Sequence, residues 1–97
     1  MRQYELTVIF PIEDDLQKAG REQLLSDLGA NGAEIIKTDE KGDRDLAYEI
    51  KKRRRGKYVL FTIKTEQESL KTFDRLFKLN ANLLKYLFVR VEEPKHG

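Results

Sequence analysis

The sequence is short of the residues from which cross-links and catalytic sites are most often built. It has no cysteine, no tryptophan, one histidine and two prolines in 97 residues. Without cysteine, disulfides and thiolate metal sites are excluded. The one histidine, His96, is the penultimate residue, where chains fray, and it forms no nucleophile–base pair with Ser26 or Ser69. Glycine-rich nucleotide loops are absent. No run approaches the roughly 18 apolar residues of a membrane span. The opening "MRQYELTVIF" carries one cation and alternates, unlike a secretion signal. The expectation is a cytosolic protein without catalysis, cofactor, metal, membrane contact or small-molecule substrate.

What the chain does have is charge. Charged residues make up 37% of it, apolar residues 39%, and a single domain over 1–97 is expected. Net charge is only +2, but it is unevenly spread. Residues 1–50 hold six Lys/Arg against twelve Asp/Glu, a net of −6; residues 51–97 hold thirteen against five, a net of +8. Such a chain can offer a basic surface to phosphate and stay soluble.

Periodicity gives the elements. Tyr4, Leu6, Val8 and Phe10 alternate on one face of a first strand, which Pro11 ends. Leu16, Gly20, Leu24 and Leu28, with Leu25 beside them, form the apolar stripe of a helix. Glu13, Asp14 and Asp15 suit its N-terminus, and Gly29 and Gly32 offer left-handed positions to stop it. The stretch "AEIIKTDEKGDRDLAYEIK" reads as one long strand bulged near Gly42, with two separate strands as the alternative. "KYVLFTIKT" is a third strand, so the basic run "KKRRRGK" is a hairpin loop with its flanks. Thr65 and Glu68 have capping-box spacing before a second helix carrying Leu70, Phe73, Leu76 and Phe77. "KYLFVRVEE" is the last strand.

The order βαββαβ predicts an α+β, ferredoxin-like fold: a four-stranded antiparallel sheet with both helices on one face. The other face should be polar if it meets only water. Instead Tyr58 and Leu60 in the third strand, Leu87 and Val89 in the fourth, and Ile9 in the first are surplus apolar residues. Such a strip calls for a partner protein or stacked bases, unless it lies at the sheet margin beneath a loop. Lys51, Lys52, Arg53, Arg54, Arg55 and Lys57 would focus positive potential on one hairpin, and Arg2, Lys85 and Arg90 add cations near strand ends. Asp39, Glu40, Asp43 and Asp45 read as a solvated bend rather than a metal site. Nothing after the first strand resembles the acylphosphatase phosphate loop. "RGKYVLFT" keeps Arg55 and Gly56 of the RNA-recognition-motif signature but misplaces its aromatics.

Three stretches together resemble one family: "MRQYE", "GDRDLAYEIKKRRRGKYVLF" and "LNANLLKYLFVR". They are similar to bacterial small-subunit ribosomal protein six. Arg2, Tyr4, Glu5, Gly42, Arg44, Leu46, Ala47, Tyr48, Ile50, Lys52, Gly56, Tyr58, Leu79, Asn80 and Arg90 occupy its pattern, across nearly the whole chain. Lys85 stands where the family carries arginine, which keeps charge but loses the planar fork. Arg53–Arg55 fall where the family is variable. The resemblance implies a noncatalytic constituent of the ribosome. It implies binding to the central domain of small-subunit ribosomal RNA, as a heterodimer with small-subunit ribosomal protein eighteen seated on the sheet. Arg2, Arg44, the 51–57 hairpin, Lys85 and Arg90 are then the candidate RNA contacts. Tyr58, Leu60, Leu87 and Val89 are the candidate protein face. The competing reading is a self-associating regulatory module that binds a small ligand.

Overall fold

Alternation of apolar and polar side chains from Arg2 to Phe10 makes strand β1, and its inward residues Tyr4, Leu6, Val8 and Phe10 are buried. In the computed structural model, which describes residues 1–91, five further elements follow. They are helix α1 (Asp14–Ala30), strand β2 (Glu34–Ile50), strand β3 (Arg53–Thr65), helix α2 (Ser69–Lys78) and strand β4 (Lys85–Arg90). The sheet order is β2-β3-β1-β4 and every neighbouring pair is antiparallel. Each helix therefore joins two parallel strands that have a third strand between them, the split βαβ arrangement. The expected ferredoxin-like fold is the observed one.

The core lies between one sheet face and the two helices. Leu6, Val8, Val59, Phe61 and Ile63 from the sheet meet Leu24 and Leu28 of α1 and Phe73 and Phe77 of α2. Phe73, Phe77, Phe88 and Tyr86 form a chain of stacked and edge-on rings 5.3–6.3 Å apart. Leu25, grouped with the apolar stripe in the sequence, is 36% exposed. The helix turns it away from the sheet.

Two helix-end expectations change. The α1 stop uses Gly32, whose φ is +82°, while Gly29 stays helical. The Thr65–Glu68 capping box does not form. Thr65 is the last residue of β3, and its buried Oγ1 has no hydrogen-bond partner. Glu68 precedes α2 without any side-chain cap. The sheet claims Thr65 because it pairs with Arg2 across β1. The expected last strand closes at Arg90; its Glu92 and Glu93, like His96, lie outside the described residues.

Tyr86 ties β4 to α2. Its hydroxyl donates to the Asp74 carboxylate and lies 3.1 Å from the Asp74 carbonyl. Burial first, then the hydrogen bond to Asp74 and the negative charge of that carboxylate, push the Tyr86 phenol up to about 12. A group whose folded pKa is raised contributes stability below its unfolded value, near 10, and loses it as pH rises towards 12. Stability should therefore fall through that window, by at most ~2.7 kcal/mol before solvent screening. Urea melts of Tyr86→Phe should show a flatter alkaline slope than the parent. An unchanged slope would refute the linkage.

Candidate nucleic-acid and partner interface

The β2–β3 hairpin turns on two residues, Lys51 and Lys52, with φ of +49° and +65°. Left-handed values at both central positions are the type I′ pattern that matches strand twist. They cost a side-chain-bearing residue roughly 1–2 kcal/mol each, so contacts elsewhere must hold the turn. The sequence suggested a six-cation loop with flanks. Only Lys51 and Lys52 form the turn, while Arg53, Arg54, Arg55 and Lys57 belong to β3. Ladder hydrogen bonds extend farther than polarity implied.

β2 is one continuous strand, as expected, bulged beside Gly42, whose φ is +84°. A larger irregularity follows. Asp45 pairs with Arg55 and Ile50 with Arg53, so residues 46–49 face Arg54 alone. The arm bends there, and three contacts anchor it. Arg53 donates to Glu13 at 2.7 Å, the Lys51 Nζ donates to the Leu83 carbonyl at 3.0 Å, and the Lys85 Nζ donates to the Tyr48 hydroxyl at 2.6 Å. The Arg53 hydrogen bond holds the Glu13 carboxyl below its usual range. That contribution is present above the ordinary glutamate pKa and is lost as pH falls through the lowered one. Glu13 and Tyr48 were not singled out in the sequence as holding the hairpin. They lie 40 and 37 residues from their partners, and no local pattern marks such pairs.

The candidate cations divide into two groups. Arg44, Lys51, Lys52, Arg53, Arg54, Arg55, Lys57 and Lys85 gather where β1 ends. Arg2 and Arg90 flank Tyr4 at the opposite end of β1, on the helix side. At the nearest, from Lys85 to Arg90 along β4, five strand steps of about 17 Å separate the groups. Within the hairpin group, Arg53 is committed to Glu13, and Arg55 lies 3.3 Å from Asp45. Arg44 sits over the Tyr58 ring, 5.8 Å from its centre. The side chains of Lys52, Arg54 and Lys57 make no hydrogen bond or ion pair among the described residues. The acids of β2 do not converge: Glu40 pairs with Arg21, Asp39 with Lys37 and Asp45 with Arg55.

On the sheet face away from the helices, register places the candidate apolar residues side by side. Leu60, Thr7 and Leu87 form one row; Thr62, Glu5 and Val89 form the next. Tyr58 lies beside Ile9 and Lys85 in the row nearest the hairpin. Leu87 is 57% and Val89 50% exposed, while Tyr58 and Leu60 are half-buried. Ile9 departs from expectation, being only 6% exposed. It fills the place of the side chain that Gly56 lacks, and Leu46 of the bent arm closes on the same spot. The chain's own hairpin covers the face at that end. The rest stays bare among the described residues.

Comparison with known proteins agrees with this geometry. The family model described as ribosomal protein S6 matches residues 3–90. A relative, small ribosomal subunit protein bS6 of Treponema denticola, is 48% identical over 93 residues, 96% of this chain and 100% of its own length. The crystal structure of 30S ribosomal protein S6 from Thermotoga maritima superposes with a TM-score of 0.81 at 20% identity, over 93% of this chain and 87% of that one. The C-terminal domain of the MgtC protein from Mycobacterium tuberculosis shares the fold more loosely. Its TM-score is 0.62 at 9% identity, over 100% of this chain and 95% of that one.

Proposed function

The chain belongs to the ribosomal protein S6 family, and from that membership we propose a noncatalytic role: it binds the central domain of small-subunit ribosomal RNA as a heterodimer with small-subunit ribosomal protein eighteen. As a family member it is a constituent of the small ribosomal subunit. The observation that carries the finer reading is the bare apolar strip of Leu60, Leu87 and Val89, bordered at one end by a cationic hairpin. Exposed leucine and valine in adjacent rows lose contact with water only when another surface covers them. The neighbouring cations suit a partner that itself lies against phosphate.

Lys52, Arg54 and Lys57 are the RNA contacts with the least reorganisation to make, since no intramolecular partner has to be given up among the described residues. Arg44, with its guanidinium over Tyr58, offers a flat cation beside the partner face. Arg53 serves first as the hairpin's anchor. Arg2 and Arg90 would reach a separate stretch of backbone.

Binding of a central-domain RNA fragment by the heterodimer should weaken with potassium chloride, with a log–log slope of about −0.7 to −0.9 per phosphate contact. A protein that forms a stable homodimer, indifferent to both RNA and salt, would defeat this reading and favour a self-associating module.

A further inference from the structure

A cavity opens beneath the hairpin turn, at the start of the edge strand β4. Its volume is ≈ 270 Å³, ample for a phosphate group, and Lys51, Phe77, Lys78, Leu83, Lys85 and Tyr86 are among the residues that line it. Three lysines line it from three elements: Lys51 from the hairpin turn, Lys78 from the last turn of α2, and Lys85 from the start of β4. The floor is apolar and aromatic.

We propose that this cavity is a seat for a phosphate anion, and that in the assembled subunit the anion is an RNA backbone phosphate. The inference rests on the RNA-binding reading above and adds to it Lys78, a residue on the helix side of the molecule. Each ammonium has hydrogen-bonding capacity to spare. Lys51 uses one of its three donors on the Leu83 carbonyl, Lys85 one on the Tyr48 hydroxyl, and Lys78 pairs with Asp74 at 2.9 Å. The local charge is three cations against the one carboxylate of Asp74, which also receives the Tyr86 hydroxyl. A net positive cavity with low-dielectric walls concentrates potential on a small anion. The lysines are held by contacts to the fold, so less side-chain freedom is lost when the anion enters. Lys78 is 68% exposed, so the mouth is open to a long polymer.

The test has two arms on the full-length protein. In the first, amide shifts of Leu83, Leu84 and Lys85 are followed by NMR as inorganic phosphate is added. In the second, the salt slope of central-domain RNA binding by the heterodimer is compared between the parent, Lys78→Gln and Lys78→Arg. Loss of one contact should lower the slope by about 0.7–0.9, and arginine should restore it. A reduced slope in Lys78→Gln supports the seat, with or without shifts from the free ion. Phosphate shifts with an unchanged slope would overturn the RNA assignment and leave a site for free phosphate. No shifts and no slope change would overturn the seat altogether, while RNA binding by the parent kept the broader reading intact. A parent heterodimer that binds no RNA would sink that broader reading, and the phosphate arm would then decide the seat alone.

Discussion

Gly20→Ala should cost about 2–4 kcal/mol, the sum of forced overpacking and a weakened buried hydrogen bond less the helix propensity that alanine returns. A Cβ built on Gly20 would lie 2.9 Å from the Asn82 carbonyl carbon and nearer still to its oxygen. Both are backbone atoms, so no side chain can swing aside. Either α1 backs away from the sheet or the α2–β4 connection moves. That connection is pinned to the same spot. Asn80, 6% exposed, donates its amide to the Gly20 carbonyl at 3.0 Å and accepts from the Asn82 N–H at 3.1 Å. For a domain of this size each kcal/mol is worth roughly 4–8 °C in Tm. Gly29→Ala is the matched control. It lies in the same helix with nothing within 4 Å of an added Cβ, and should stabilise by about 0.5–1 kcal/mol. Thermal melts that rank the two substitutions equally would refute the close-approach account.

Leu87→Asp should abolish assembly with the proposed protein partner while the melting temperature stays within a few degrees. Leu87 is 57% exposed in the isolated chain, so the substitution disturbs little folded packing. Seating a partner over it would bury an unpaired carboxylate, at several kcal/mol and about a hundredfold or more in affinity. Val89→Asp, one row along, should behave alike. Leu25→Asp, on the outer face of α1, should leave assembly unchanged. Titration calorimetry against small-subunit ribosomal protein eighteen would read all three. Equal affinities for the parent and Leu87→Asp would move the docking surface elsewhere.

Pattern alone was sufficient for the element order, the bulge at Gly42 and the surplus of apolar residues on one sheet face, because all three rest on alternation between neighbours in sequence. The Leu60–Thr7–Leu87 row follows directly from it. Local chemistry misled where the sheet outbid it. Thr65 has the spacing of a cap but is drawn into β3, and Arg53–Arg55 look like loop yet extend the ladder.

The sequence by itself determined the layer order, the family and the sign of charge on the hairpin, since each depends on residue type and short-range spacing. Only the tertiary structure decided that Ile9 is covered, that the cations fall into two distant groups, and that Lys51, Lys78 and Lys85 share one cavity. Those facts depend on where the bent arm lands. Its landing is governed by contacts between residues some 30 to 40 positions apart, such as Arg53 with Glu13 and Lys51 with Leu83. A one-dimensional pattern carries no trace of such distances.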